Sequence, residues 1–271
     1  MIPNNALLNY ISNLNNNKFI FIPTPGKIGD ALLAHSAYTL FDNSGLNYST
    51  GTCKDIYKNE NIIIGGGGNL IGHLYSELAN FVNNNIAYNK ITIFPHTIYN
   101  LPDVEEWLKY DTVQIFCREP KTYNYLKGFN DIRANLLLTE DMSYFLNFDE
   151  FEKYKKIKGE GTCNSFRSDG EAAGLNHSNN NFDVSQTWDG DYWHNKSLAY
   201  HAVHSMASYL SYFDTINTDR LHTAILAGII GKNVNLFPGT YHKIESIFNF
   251  TIKNQWTNIN LVTNSTQPAM K

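Results

Sequence analysis

Residues 61–70 read NIIIGGGGNL, an apolar run followed by four glycines. The unbroken run Ile62-Ile63-Ile64, unlike an alternating one, is typical of a strand in a parallel sheet that is covered on both faces. We expect the glycines to follow this strand and to open a helix over residues 69–83. A strand, a glycine run and a helix in this order favour a Rossmann-like α/β fold.

Short apolar runs and longer amphipathic runs alternate along the rest of the chain, which predicts strands and helices laid down in turn. The ranges predicted as strands are 19–23, 61–64, 91–94, 113–117, 162–167, 213–217 and 234–237. The ranges predicted as helices are 28–41, 69–83, 119–127, 197–210, 219–230 and 241–249. Residues 170–193 are polar, rich in Asn and aromatic residues, and lack periodicity, so we interpret them as a long loop.

The length of 271 residues favours two compact lobes, because domains commonly hold roughly 100 to 150 residues. Residues 148–161 read FDEFEKYKKIKGEG, a charged stretch that indicates a linker or a linking helix. We therefore predict one Rossmann-like lobe over residues 1–150 and a second over residues 151–271. Hydrophobic residues make up 42% of the chain, which is enough apolar material for a core in each lobe.

Charge and cysteine usage exclude several classes of protein. The formal net charge of -4 leaves no basic excess for binding nucleic acid or an anionic membrane surface. The three cysteines, Cys53, Cys117 and Cys163, form neither a C-x-x-C pair nor an even disulfide set, which points to a reducing compartment. The first residues lack a basic region and an apolar core, and no apolar run reaches the roughly 20 residues of a membrane span. These features predict a soluble, cytoplasmic protein.

The sequence Thr218-Asp219-Arg220-Leu221-His222 lies where a predicted strand passes into a predicted helix. We expect Thr218 or Asp219 to cap this helix, so that the N–H groups of its first turn and the positive end of its dipole face a cleft. Such a helix end binds anions. Arg220 adds a planar fork for a carboxylate or phosphate, and His222 adds a group that titrates near neutral pH.

A purely structural interpretation of the same residues is the alternative. The segment is equally consistent with a capped core helix whose arginine forms a surface ion pair and whose histidine is half-buried. Other motifs along the chain are needed to distinguish the two interpretations.

The chain resembles the polysaccharide pyruvyltransferase family through motifs that occur in order from the first predicted strand to the last helix. These motifs are Gly29-Asp30, the run GGGGNL at 65–70, PHTI at 95–98, Arg118-Glu119-Pro120, and TDRLHTAILAGIIGKNV at 218–234 followed by YHKI at 241–244. One departure is the turn before Gly29-Asp30, which reads Pro-Gly-Lys-Ile where many relatives have Asn.

The resemblance implies two Rossmann-like lobes in the GT-B arrangement, with phosphoenolpyruvate bound in the cleft between them and no further cofactor. It implies that Arg220, Leu221 and His222 hold this donor together with Arg118, and that Lys243 occupies a recurrent basic position. The implied reaction transfers an enolpyruvyl unit to a hexose, of galactose type, in a cell-surface polysaccharide precursor. A lipid-linked acceptor would bring the enzyme to the inner face of the membrane.

The chemistry of this reaction suits these residue types. Phosphoenolpyruvate carries about three negative charges, and burying them requires paired donors, which Arg118, Arg220, Lys243 and a helix N-terminus supply. Ketal formation requires a proton at the enolpyruvyl methylene, and His222 is the candidate acid because proton transfer is favoured by a pKa near the operating pH. The two arginines would stabilise the departing phosphate.

Further candidates line the predicted cleft. Gly67, Gly68 and Asn69 allow a ligand to approach the backbone, although a tight packing turn explains the glycines equally well. Asp30 and His96 are candidates for the base that activates the incoming hydroxyl. For the sugar acceptor, the loop before the second lobe's helices offers carboxylates and indole rings beside an arginine, namely Arg167, Asp169, Asp183, Trp188, Asp189, Asp191 and Trp193. A solvated acidic loop anchored by two tryptophans is the alternative.

The sequence predicts no metal site. His201 and His204 lie three residues apart on a predicted helix, but no Glu or third ligand follows at a recognised spacing.

Two other functions remain as alternatives. A GT-B glycosyltransferase that uses a nucleotide sugar would share the fold and the helix N-terminus, although no ribose-binding acidic residue stands out. A non-catalytic sugar-binding module would use the loop around Trp188 and Trp193 and would not need Arg220 or His222.

Overall fold

The computed structural model describes residues 5–14, 17–72, 74–172 and 180–262. Within this part of the chain the protein is a mixed α/β structure with two parallel sheets. The helices in chain order are α1 (Ala6–Asn13), α2 (Ile28–Asn43), α3 (Glu77–Asn85), α4 (Val104–Trp107), α5 (Pro120–Lys127), α6 (Glu152–Lys155), α7 (Lys196–Ser211), α8 (Leu221–Ile229), α9 (Lys243–Ile247) and α10 (Lys253–Gln255). A π-helical turn at Phe248–Ile252 joins the last two.

The first sheet has the strand order β3-β1-β4-β6-β7-β8, and a further strand, β5, pairs with the far half of β6. Its strands are β1 (Phe19–Ile22), β3 (Tyr48–Thr50), β4 (Asn61–Ile64), β5 (Gly67–Ile71), β6 (Lys90–Tyr99), β7 (Val113–Cys117) and β8 (Asn135–Leu138). The chain places β3 on one side of β1 and β4 on the other, so the order reverses beside β1. In open parallel sheets a ligand crevice forms at such a reversal, outside the carboxyl ends of the strands.

The second sheet is smaller and has the order β13-β12-β11-β9, again all parallel. Its strands are β9 (Thr162–Asn164), β11 (Thr215–Thr218), β12 (Asn233–Leu236) and β13 (Ile259–Leu261). The segment between the two sheets includes the predicted linker, which forms a 3-10 turn at Phe148–Phe151 and helix α6. The large parallel sheet with its covering helices agrees with the predicted Rossmann-like α/β fold.

The prediction of a helix over residues 69–83 is wrong at its start. Residues 67–71 form β5, and helix α3 begins only at Glu77. The reason is that β6 is a ten-residue strand that continues past its predicted end to Tyr99 and offers a free edge to the glycine run. Glycines at 67 and 68 lack side chains, so β5 approaches His96 and Arg118 closely: a Cβ on Gly67 would lie 3.2 Å from His96 Cε1.

A short antiparallel pair connects the two halves of the chain. Strand β2 (Gly26–Lys27) lies in the turn after β1, and β10 (Asp189–Gly190) lies before α7. The buried Trp193 reinforces this connection, since its Nε1 donates to Gly26 O at 3.0 Å and its carbonyl accepts from Tyr38 Oη at 2.8 Å. Trp193 is therefore a structural residue that fixes the loop against the first sheet.

The apolar core does not divide into one core for each sheet. One cluster is formed by residues 22–134 of the first half and lies on one face of the large sheet. The other cluster is continuous through both halves, because α2 packs against α7 and α8 between the two sheets. Burial of this shared apolar surface holds the two sheets together, at roughly 25 cal/mol for each Å².

No helix in the described ranges is long and apolar enough to cross a membrane.

Glu119 joins the two halves through polar contacts. It is the N-cap of α5, where its carboxylate accepts from the N–H of Thr122 at 3.0 Å and also contacts the Thr122 hydroxyl. From the other half, Ser246 Oγ donates to Glu119 Oε2 at 2.8 Å, and His242 Nε2 lies 3.7 Å from Oε1. Burial alone would raise the pKa of Glu119, but donors from His242, Thr122 and Ser246 outweigh it and lower that pKa to about 2.

We predict that Glu119→Ala lowers the free energy of unfolding by about 2–4 kcal/mol at pH 7, because a cap is lost and buried donors are left unpaired. A carboxyl with a depressed native pKa stabilises the fold above its unfolded pKa of about 4.5, and this contribution is lost as the pH falls towards 2. Urea unfolding at pH 7 and pH 3 measures both effects. The exposed Glu105→Ala is the control, and equal stability of the two variants at pH 7 would contradict the assignment.

Candidate active site

A cavity of about 400 Å³ lies between the two sheets, outside the carboxyl ends of their strands. The polar residues that line it follow these strands: Asp30 comes after β1, Arg118 after β7, Arg167 after β9 and Arg220 after β11. The parallel sheets thus bring together side chains that are far apart in the sequence. Of the predicted site residues, the cavity lining includes Asp30, Gly68, Asn69, Arg118, Arg167, Asp189, Asp191, Arg220, Leu221, His222 and Lys243.

Arg118 is the most tightly held cation of the site and is 1% exposed. Its Nε donates to Thr97 Oγ1 at 2.9 Å, and its Nη1 donates to Asp141 Oδ2 at 2.8 Å. Its Nη2 lies beside Gly68, where an added Cβ would approach to 2.9 Å. The contact explains a glycine at position 68, since the guanidinium is fixed from two sides and cannot move away.

Asp141 connects Arg118 to His222. The Nε2 atom of His222 lies 3.5 Å from Asp141 Oδ2 and 3.5 Å from Arg118 Nη1. The other oxygen of Asp141 accepts from the N–H and the hydroxyl of Ser143 at 2.9 and 2.6 Å. Burial alone would raise the pKa of Asp141, but the charges of His222 and Arg118 and the Ser143 donor hold it well below its usual range. The ionised carboxylate therefore orients both the Arg118 and the His222 side chains.

Helix α8 directs its first turn at the cavity, as the sequence predicts, but the predicted cap is absent. The N-cap is Arg220, without a side-chain cap, so the expectation that Thr218 or Asp219 caps the helix is wrong. Thr218 Oγ1 accepts from Arg220 N at 3.0 Å, and Asp219 Oδ1 accepts from Arg167 N at 2.7 Å, so both are engaged elsewhere. The first-turn residues 221–223 all line the cavity, and N–H groups in this turn have no intrahelical acceptor.

Each cation that lines the cavity is paired with a carboxylate among the described residues. The pairs are Lys27 with Asp169 and Asp189, Arg118 with Asp141, Arg167 with Asp169 and Glu171, Arg220 with Asp169 and Asp183, and Lys243 with Glu171. The sequence predicts a few cations arranged for one small anion. In the structure these positive charges already have carboxylate partners. Buried cations need such partners, because an unpaired buried charge is costly.

Asp169 is a centre of this network. It accepts from Arg167 Nε at 2.9 Å and from Arg220 Nη2 at 2.9 Å, and Lys27 Nζ lies 3.4 Å away. Burial raises the pKa of Asp169, but the hydrogen bond and charge of Arg167 and the charge of Arg220 hold it well below its usual range. Asp169 is thus occupied with cations and lies behind the cavity lining, away from the sugar contacts predicted for it.

Lys243 and Glu171 form a buried pair, with Nζ 2.5 Å from Oε2. Tyr75 Oη also donates to Glu171 at 2.9 Å, and Arg167 Nη2 lies 2.8 Å from it. Burial is the largest influence on Lys243 and, despite Glu171, lowers its pKa to about 8. The lysine lies beside Gly68, where an added Cβ would be 3.6 Å from Nζ, so it faces the same end of the cavity as Arg118.

Asp30 is the carboxyl group with a raised pKa in the cavity lining. Burial raises its pKa to about 6, and the charge of His222 opposes the rise only in part. Its Oδ2 accepts from Lys27 N at 2.9 Å and would meet any Cβ placed on Gly26, which has a φ of +140°. The glycine at position 26 is therefore required by both the backbone and the carboxylate.

The structure places six predicted site residues outside the cavity lining, namely Gly67, His96, Asp169, Asp183, Trp188 and Trp193. Asp183 pairs with Arg220, and Trp193 is fixed by its hydrogen bond to Gly26. Gly67 packs against His96, which is fully buried, and His96 Nε2 accepts from Asn69 N at 3.3 Å. Burial, with a smaller contribution from Arg118, lowers the pKa of His96 to about 3, so its ring is neutral. The ring packs against β5. Trp188 is 41% exposed on the surface, and Asp169 lies in the ionic network described above.

Sequence reasoning missed three charged residues at this site. Lys27 precedes Asp30 and belongs to the turn that departs from the family motif, while Glu171 and Asp141 belong to no recognised motif. The signal that could have identified Asp141 is its position at the end of a strand, since it follows β8 as Arg118 follows β7. Because β8 was not predicted as a strand, this position gave no indication before the fold was known.

Comparison with known proteins identifies the family of this chain. The family model of polysaccharide pyruvyl transferases matches residues 28–238, a range that includes Asp30, Arg118, Asp141, Arg220 and His222. The chain belongs to the polysaccharide pyruvyl transferase family.

One similar solved structure is that of a functionally uncharacterised protein from Klebsiella pneumoniae. It is 36% identical to this chain, with a TM-score of 0.81, and the match covers 95% of this chain and 96% of that one. The likeness therefore extends over both sheets. None of the curated proteins compared with the chain matches it.

We predict that Asp30→Asn stabilises the protein at pH 7.5 by an amount on the order of 1–2 kcal/mol, because it removes a buried negative charge. The native pKa of Asp30, about 6, exceeds the unfolded value of 3.8, so the native state binds more protons between these values and stability falls as the pH rises through them. The gain should therefore vanish at pH 4. Urea unfolding at both pH values measures it, with the exposed Asp111→Asn as control. A variant that is less stable than the wild type at pH 7.5 would contradict the raised pKa.

Proposed function

We propose that the protein transfers the enolpyruvyl unit of phosphoenolpyruvate to two hydroxyls of a hexose, of galactose type, in a cell-surface polysaccharide precursor. The product is a pyruvate ketal, and inorganic phosphate is released. The observation that carries this proposal is the unit of Arg118, Asp141 and His222 beside the uncapped first turn of α8, in a chain of this family.

Arg118, Lys243 and the first turn of α8 are the groups proposed to hold the donor. They meet at one end of the cavity, since Gly68 lies next to both Arg118 Nη2 and Lys243 Nζ. Backbone N–H groups at a helix N-terminus suit a phosphate, and a guanidinium suits a phosphate or a carboxylate. Arg220 is fixed by Asp169 and Asp183, so we propose that it stabilises the donor mainly through its charge.

The paired state of the cations bears on how a trianion is accommodated. Binding it must compete with the carboxylate partners of these cations. Asp30 forms none of these ion pairs, and with a pKa of about 6 it is the lining carboxyl best suited to take up a proton near neutral pH. We therefore propose that Asp30 is ionised when the donor binds and takes up its proton from the sugar hydroxyl.

The proposed chemistry has two steps. A proton from His222 is added to the methylene carbon of the donor, so that C2 becomes oxocarbenium-like and the first sugar hydroxyl attacks it while losing its proton to Asp30. The second hydroxyl then displaces phosphate from C2, and its proton leaves with the phosphate. The proton held by Asp30 returns to His222 through solvent, which restores both groups. Asp141 orients His222 through the 3.5 Å contact, and Arg118 stabilises the negative charge of the leaving group.

The acceptor is proposed to enter beside Asp189 and Asp191, at the β10 side of the cavity. Asp189 is 56% exposed and Asp191 17%, so both carboxylates are available for hydroxyl groups of a sugar. A lipid-linked acceptor at the inner face of the membrane is compatible with an opening on this side. The cleft between two parallel sheets is also what a GT-B arrangement would present, and we propose that arrangement for the two lobes.

The direct test is incubation of the purified chain with phosphoenolpyruvate and a galactoside, with inorganic phosphate as the measured product. We predict release of phosphate that depends on the acceptor, and a pyruvate ketal in the product by mass spectrometry. Turnover with a nucleotide sugar and none with phosphoenolpyruvate would instead support a glycosyltransferase.

Variants make this prediction specific. His222→Asn should lower kcat by about 100-fold or more, since it removes the proposed acid. Arg118→Lys should raise KM for the donor, because lysine cannot contact Thr97, Asp141 and a ligand at once. His201→Asn, at an exposed position on α7, is the matched control and should leave both constants unchanged. Full activity of the Arg118 and His222 variants would exclude the proposed donor site.

A further inference from the structure

His35, Glu150 and His204 form a compact cluster away from the cavity. His35 lies on α2, Glu150 in the 3-10 turn before α6, and His204 on α7. One potential ligand atom from each residue lies within 4.8 Å of the other two. Glu150 Oε2 lies 3.0 Å from His35 Nε2 and 3.6 Å from His204 Nε2.

We propose that His35, Glu150 and His204 bind a divalent transition-metal ion, with Zn²⁺ as the best match, and that this ion ties α2 to α7. Two imidazoles and one carboxylate are a recurrent ligand set for Zn²⁺, with a solvent molecule in the fourth position. Ligand atoms of a tetrahedral zinc ion are about 3.3 Å apart, because each lies about 2.0–2.1 Å from the metal. The distances from Glu150 Oε2 to His35 Nε2 and to His204 Nε2, 3.0 and 3.6 Å, lie on either side of that value.

The buried nitrogens of the cluster supply an independent reason. His35 and His204 are 5% and 6% exposed, and within the described residues His35 Nδ1 and His204 Nε2 have no hydrogen-bond partner. The separation of 3.6 Å between His204 Nε2 and Glu150 is too long for a normal hydrogen bond. A buried nitrogen that faces a carboxylate without bonding to it is costly, and a metal ion between them would satisfy both.

The surroundings have the features expected around a zinc site. Tyr154 Oη lies 3.1 Å from His204 Nδ1 and would fix the ring so that Nε2 faces Glu150. The ring of Phe151 stacks on His204 at 4.9 Å, and the ring of Tyr200 lies 4.1 Å from it, which gives the cluster an apolar wall.

Solvent access and position indicate a structural ion. The Glu150 side chain is 26% exposed, so an ion can reach the cluster from the surface. Helix α2 also carries Asp30, five residues before His35, or about 7.5 Å along the helix axis. A metal ion would thus hold the helix that presents Asp30 to the cavity, without itself reaching the reacting groups. The pattern could not be found in the sequence, because its three ligands come from separate segments.

The test uses the purified full chain, stripped of metal with a chelator, and titrated with Zn²⁺ against a chromophoric chelator. We expect one Zn²⁺ for each chain and a rise in Tm on saturation, since an ion that binds only the native state stabilises it. Glu150→Gln, at a partly exposed position, should weaken binding at least 10-fold and abolish the rise in Tm. Tyr154→Phe, which removes only the hydroxyl beside His204, should weaken binding by roughly 10- to 100-fold.

His201→Gln is the matched control, since this exposed histidine lies on the same helix three residues before His204. It should bind Zn²⁺ as the wild type does. Co²⁺ gives a second measurement on the wild type: visible absorption bands of a four- or five-coordinate ion should form and disappear when Zn²⁺ is added. The absence of stoichiometric Zn²⁺ binding, or binding that persists unchanged in Glu150→Gln, would overturn the proposal.

Discussion

The contact between Arg118, Asp141 and His222 is the constraint on which the site depends. The carboxylate of Asp141 is fully buried, and it holds the arginine at 2.8 Å and the histidine at 3.5 Å. Arg118 and Asp141 follow two adjacent strands of the first sheet, whereas His222 belongs to the first turn of α8, beside the second sheet. The ionic unit therefore links the two sheets at the cavity, and it accounts for the glycine at position 68, which leaves room for the arginine.

The other charged residues of the cavity are present because buried cations need carboxylate partners. A cleft that concentrates cations between two sheets needs carboxylates nearby, and the structure supplies them from the segment after β9, including Asp169 and Glu171. A ligand with several negative charges must compete with these carboxylates, which makes its binding sensitive to protonation. Asp30, with a pKa of about 6, is the lining carboxyl whose charge changes closest to neutral pH. The same carboxyl is costly to the fold when ionised, because burial raises its pKa above the unfolded value.

The sequence predicted those elements whose signal is local. The unbroken run Ile62–Ile64 and the strand Val113–Cys117 lie where their apolar patterns indicate, because buried parallel strands need no alternation. Strand β5 was missed, since its formation depends on the free edge of β6 and not on its own residues. In the site, Arg118, Arg220 and His222 were predicted from motifs. Asp141 was identified only from the fold, because it follows β8, which pairs with β7. The cluster of His35, Glu150 and His204 is a further case in which three segments meet without any local pattern.

The proposed site holds one anionic donor between Arg118, Lys243 and the first turn of α8. The decisive experiment is a crystal structure of the protein with phosphoenolpyruvate. We expect the phosphate or carboxylate within hydrogen-bonding distance of Arg118 Nη2 and of backbone N–H groups in residues 221–223, with Asp141 still bonded to Arg118. A donor bound elsewhere, or an Arg118 guanidinium turned away from Asp141 into solvent, would contradict it.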